Sequence, residues 1–226
     1  MAKKKLTRKE LLKGEDEFIT LSTRGILFVR AHLRELKAIG IGIVAVILIY
    51  LAAYTYLGYV NRKGQAAYNE AYYALVETLK PGGDRSGLKK ADELFAKVME
   101  EYSLSKAADL ALPQAAYVKF LSGAYDEAGE LYRRYLDEIS ENPHYRSLAT
   151  LGLSACYEAK GEYGEAAELL KPLLEDRGNP FRDAAMLALA RIHRLRNQPE
   201  KEKALLEKFV KAYPDSPFLA FARSRL

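Results

Sequence analysis

The chain has no tryptophan, one cysteine and three histidines in 226 residues. A lone cysteine, Cys156, closes no intramolecular disulfide, so any part lying in an oxidising compartment must be held together by packing. Leu151, Leu153 and Tyr157 surround it in a helical pattern, which reads as a buried structural thiol. His32, His144 and His193 are scattered, and without His-x3-His or Cys-x2-Cys spacing no metal site is expected. Phosphate-binding glycine motifs are missing too, and Pro81-Gly-Gly-Asp84 reads as a turn. Acidic pairs such as Glu127/Glu130 and Glu165/Glu168 fall at helix starts, where the macrodipole favours carboxylates without any catalytic role. Strand periodicity is almost absent. The expectation is an all-α protein with no catalytic residues and no cofactor.

Charge is missing altogether from residues 38–60, which run from Ala38 to Val60 between Lys37 and the Arg62–Lys63 pair. As a helix, these residues extend roughly 34 Å, enough to cross a hydrocarbon core of about 30 Å. Eleven of them are Ile, Leu or Val. Together those favour insertion by about 3–7 kcal/mol, with no charge to oppose it. Tyr50, Tyr54, Tyr56 and Tyr59 crowd the C-terminal half, where amphipathic rings prefer the membrane–water interface. The segment reads as a retained signal anchor: the basic region ahead of it is too long, and the apolar run too extended, for a cleaved leader.

The flanking charges set the expected orientation. Residues 1–37 carry ten basic and five acidic residues, whereas only Arg62, Lys63 and Lys80 follow the segment closely. The positive-inside rule then puts residues 1–37 in the cytoplasm and residues 61–226 outside it. The net charge of +5 is not a nucleic-acid signal, because residues 64–226 hold 23 basic and 25 acidic residues. In the basic tail, Thr7-Arg-Lys-Glu10 forms a capping-box pattern, and Ile26, Val29, Leu33 and Leu36 share one helical face suited to anionic lipid.

Beyond residue 60 the periodicity is that of paired helices. Gly123-Ala-Tyr-Asp-Glu-Ala128 aligns with Gly161-Glu-Tyr-Gly-Glu-Ala166 at an offset of 38 residues. Ala91, with Phe95 and Val98 on its face, precedes Ala128 by 37, and Asn197 takes the turn-glycine place further on. A period of this length predicts a helical solenoid of about four units. Gly123 and Gly161 are expected to close turns with positive φ. Ala128 and Ala166 let paired helices approach, and Tyr125 and Tyr163 cap the hairpins. Pro143, Pro180 and Pro214 are expected to end the second helices.

These residues resemble the tetratricopeptide repeat. Leu153, Ser154, Tyr157, Gly161, Tyr163 and Ala166 match its pattern, and Gly123, Tyr125, Ala128 and Tyr132 match its second half. The loop Lys80–Gly87 is expanded, and Glu202 stands at a small-residue position. The layout, with Asp16-Glu17-Phe18 leading into an amphipathic helix and an anchor, is similar to the YfgM-like family, the ancillary subunits of the bacterial SecYEG translocon. That resemblance implies contact with translocon subunits, periplasmic chaperones or exported chains. Envelope scaffolding for cell division or outer-membrane assembly is the alternative, suggested by Tyr213-Pro-Asp-Ser-Pro217; a membrane-anchored signalling protein is another. In the tetratricopeptide family the first helix of each hairpin faces the ligand. Carried onto this chain, the matching positions are Tyr117 and Phe120, then Glu158, then Arg191 and Arg194.

Overall fold

The computed structural model describes residues 23–84, 86–138 and 142–226, and the capping-box pattern and the Asp16-Glu17-Phe18 lead-in lie outside them. Among the described residues the structure is all helical. Helix α1 covers residues 23–31 and α2 covers Leu33–Leu79. There follow α3 (Gly87–Glu101), α4 (Lys106–Leu121), α5 (Tyr125–Glu138), α6 (Pro143–Ala159) and α7 (Tyr163–Glu175). The chain finishes with α8 (Arg182–Leu195), α9 (Pro199–Ala212) and the short α10 (Leu219–Arg223). Two compact units divide between Tyr56 and Leu57.

The first unit owes its character to the apolar part of α2. A window of mean hydropathy 2.4 makes this helix long and apolar enough to cross a membrane. Its aliphatic side chains are exposed, from Ile39 through Ile49, as are those of Ile26, Val29, Leu33 and Leu36 before them. Thr55, the one hydroxyl-bearing aliphatic residue in the stretch, donates to the carbonyls of Leu51 and Ala52 at 2.9 and 3.0 Å. Its polar group is thereby satisfied within the helix.

The second unit stacks the hairpins α4/α5, α6/α7 and α8/α9, preceded by the end of α2, which packs with α3 in one apolar cluster. Three of the turns repeat one hydrogen-bond pattern. Gly123, Gly161 and Asn197 adopt φ of 81°, 80° and 54°. Each donates its N–H to the carbonyl three residues back, and the residue after it donates to the carbonyl five back, at 2.9–3.0 Å. The left-handed residue turns the chain while the last helical carbonyls stay satisfied. Ala128 and Ala166, five residues after the glycines, are fully buried between their helices. Ser154 Oγ donates to the Ala166 carbonyl at 2.9 Å, a buried cross-link inside the α6/α7 hairpin. In the α8/α9 hairpin Glu202 takes the small-residue place and turns its carboxylate towards Arg194, 3.8 Å away.

The first helices are capped from the sequence side as well. Ser105 Oγ accepts from Ala108 N, and Asn61 Oδ1, reaching across from α2, accepts from Lys106 N at 2.9 Å. Asn142 Oδ1 accepts from His144 N at the start of α6. Here the structure departs from the expectation for the prolines. Pro143 does not end a second helix but is the first residue of α6, where its missing N–H needs no partner. Pro180 lies in the loop between α7 and α8, while Pro214 follows α9 as expected.

Four apolar clusters run along the stack. Ala71, Leu75, Ala91, Phe95 and Val98 begin the first, Tyr132, Leu153 and Cys156 belong to the second, Leu170 and Ile192 to the third, and Phe209 and Ala222 to the fourth. Phe95 and Phe209 are fully buried. Each such ring removed from water contributes about 1.5–3 kcal/mol. Cys156 is buried in the second cluster, as its apolar neighbours predicted.

Candidate protein-binding face

Tyr117 lies on α4 one turn beyond Pro113 and two beyond Leu110, so all three share a helix face. This face meets the start of α6, which presents Tyr145 and Leu148. Between them opens a pocket of about 330 Å³, with Pro113, Tyr117, Tyr145 and Leu148 at its rim and Tyr132 and Tyr135 of α5 behind. Tyr145, Leu148 and Tyr117 are 51%, 46% and 37% exposed, large fractions for such side chains. The aromatic surface continues onto the second-unit part of α2, where Tyr68 and Tyr72 stack with ring centroids 6.1 Å apart. Burial, then the neighbouring Tyr72 and Tyr145 phenols, push Tyr68 above the ordinary phenol range.

Tyr132 fits behind the pocket because α6 has no side chain at Gly152. A Cβ there would lie 2.4 Å from Tyr132 Cζ. Tyr132 and Tyr135 are only 6% and 4% exposed. Among the described residues their hydroxyls have no hydrogen-bond partner, and no fully buried side-chain polar atom lacks one. Their polar tips therefore reach open space rather than being sealed in the core. Burial, with Cys156 and Tyr117 nearby, holds the Tyr132 phenol well above its ordinary pKa, so it remains a proton donor.

The other residues expected to face a ligand are arranged differently. Phe120 is half-buried, with its ring 5.4 Å from that of Tyr125, and belongs to the second core cluster, outside the pocket. Glu158 and Arg191 meet in a bidentate ion pair, Nε to Oε1 at 2.7 Å and Nη2 to Oε2 at 2.9 Å, joining α6 to α8. Arg194 faces Glu202. The pocket residues Tyr135, Tyr145 and Leu148 were not singled out by sequence. Tyr132 was, but as a repeat residue; its exposed polar tip was the missing signal.

A second groove, about 700 Å³, lies between α5, α6 and α7. Leu136, Leu153, Leu169 and Pro172 line it, with Arg146 and Glu165 among its charges. Among the described residues no group of three or more His, Cys, Asp or Glu is placed to hold a metal ion.

Tandem helical hairpins closed by left-handed turn residues, with small residues at their crossings, define a helical-repeat protein. The tetratricopeptide repeat-like domain family matches residues 34–177, and the chain belongs to that family. The tetratricopeptide repeat matches residues 184–216 in addition. No curated protein matches the chain significantly. Among solved structures, it resembles the tetratricopeptide-like repeats of a Podosopora anserina protein described as a kinesin light chain. Two structures of those repeats give TM-scores of 0.56 and 0.55 at 20% and 21% identity, covering 72% of this chain and 82% of theirs. The Pseudomonas aeruginosa protein pilF is similar with a TM-score of 0.53 at 20% identity, over 72% of this chain and 67% of its own. These likenesses establish the repeat fold, whose general use is to bind other proteins.

Proposed function

We propose that this is a single-pass inner-membrane protein whose repeat domain lies in the periplasm and binds proteins without chemistry of its own. In this reading residues 1–37 are a cytoplasmic tail, 38–60 the membrane span and 61–226 the periplasmic domain. The partners are translocon subunits, periplasmic chaperones or exported chains, and the protein serves as an ancillary factor of the Sec translocon. The observation that carries the binding role is the uncharged tyrosine face around Tyr117 and Tyr145, exposed at the junction of two first helices. The uncharged apolar stretch of α2 and the basic residues ahead of it support the membrane topology.

A photo-crosslinking residue at position 117 or 145, activated in native membranes, tests this directly. Translocon subunits, chaperones or exported chains are the expected products. Recovery of division or outer-membrane assembly proteins in their place would favour the envelope-scaffold alternative. Equal crosslinking from a position outside both cavities, such as Lys208 on α9, would remove the face as the binding site.

A further inference from the structure

Eight residues line the pocket around Tyr117 and Tyr145, and none of them is charged. Three other surface cavities are each lined by both acidic and basic side chains. A Lys or Arg entering the tyrosine pocket would meet ring faces but no carboxylate to offset its lost water. An acidic group would meet no cation. With no counter-charge in the lining, an uncharged occupant is the one its composition favours.

The pocket has also kept its hydrogen-bond donors. Tyr132 and Tyr135 are more than nine-tenths buried, yet their hydroxyls have no partner among the described residues and are not sealed in the core. Tyr117 and Tyr145 add two more hydroxyls at the rim without a partner among those residues. Donors of this kind call for a ligand with free carbonyls. In a helix or a sheet the carbonyls are already used, but in a polyproline II segment none is. Volume points the same way. A helix about 10–12 Å across does not enter a cavity of about 330 Å³, whereas one or two side chains of an extended chain do.

We propose that this pocket receives an uncharged, extended, proline-bearing segment of a partner protein. Prolyl rings lie on the phenol faces, and the segment's carbonyls accept from the tyrosine hydroxyls, as in aromatic-lined grooves generally. The stacked Tyr68–Tyr72 pair prolongs the platform for the flanking residues. Because such a segment is already extended when free, little ordering opposes its binding.

The inference rests on the protein-binding reading of this face, and the experiment separates the two. The full chain in lipid nanodiscs, with empty discs as blank, is titrated with a ten-residue polyproline peptide ending in tryptophan. The chain has no tryptophan, so the emission reports the peptide alone. Parallel peptides are Gly/Ser-rich, lysine-rich, and leucine-rich without proline. The expected result is polyproline binding at least tenfold tighter than each of these. Tyr117→Phe and Tyr145→Phe, which keep the rings, should each weaken it about two- to tenfold, the effect of one lost hydrogen bond. Full affinity in both Phe variants, or tighter binding of the lysine-rich peptide, overturns the proposal. Tighter binding of the leucine-rich peptide overturns it too but leaves the protein-binding reading standing. Failure of every peptide overturns the proposal, while crosslinks from positions 117 and 145 decide the protein-binding reading on their own.

Discussion

Tyr132 on α5 lies so close over Gly152 on α6 that a methyl group there would overlap the ring at Cζ, 2.4 Å away, and at both Cε atoms, 2.8 Å away. Tyr132 is packed in the second core cluster and also lines the pocket, so one glycine links hairpin packing to the shape of the binding face.

Gly152→Ala should therefore destabilise the repeat domain even though alanine is the better helix former. Overpacking costs about 1–3 kcal/mol, against a propensity gain of up to about 1 kcal/mol. A thermal melt should fall by a few degrees. Adding Tyr132→Leu, which removes the clash, should recover part of the loss. A Gly152→Ala protein that melts like the wild type would show that the contact constrains nothing.

The three left-handed turns give a paired prediction. Gly161→Ala puts a Cβ on a residue with φ of 80° and should cost about 1–2 kcal/mol. Asn197→Gly relieves the only non-glycine residue with positive φ among the described residues, and should be neutral or slightly stabilising. Denaturant midpoints of the two variants should move in different directions or by clearly different amounts. Equal losses would mean that the turn geometry is not what these residues supply.

Cys156 gives a test of burial. Desolvation pushes its thiol up to about 11, although Arg133 and Lys160 pull the other way. An unfolded thiol ionises near 8.5. Because the folded pKa is raised, the associated stability is complete below the unfolded value and is lost as pH rises towards about 11. Iodoacetamide at pH 8 should label the native protein about a hundredfold more slowly than the unfolded chain, as an opening of about 3 kcal/mol implies. Rapid native labelling would contradict the packing of the second cluster.

Much of the repeat scaffold was legible because single residues carry it. A turn needs a residue free to take positive φ, and Gly123, Gly161 and Asn197 announced themselves at spacings of 38 and 36 residues. A close crossing needs alanine, and Ala128 and Ala166 stood five positions further on. The pocket was not legible in the same way. Its tyrosines come from α4, α5 and α6, and each alone suits an ordinary amphipathic helix. Pro143 was misplaced for a related reason: a proline after a helix and a proline opening the next one look alike until the helix ends are known. Nor does a count along a helix reveal that Glu158 and Arg191, 33 residues apart, bind each other.

That pair carries the last prediction. Arg191 is about half exposed while Glu158 is largely covered, and the geometry is bidentate. A double-mutant cycle with Glu158→Gln and Arg191→Ala should give a coupling of about 0.2–1 kcal/mol, the range for partly solvated pairs. In 1 M salt, where the screening length falls to about 3 Å, most of it should vanish. Arg191→Ala combined with Arg194→Ala should leave the melt within a few degrees. In the proposed binding role, the same double variant weakens partner capture in native membranes. A large drop in the melt would instead show that the two guanidiniums hold α6, α8 and α9 together, and unchanged capture would confine the binding surface to the tyrosine end of the domain.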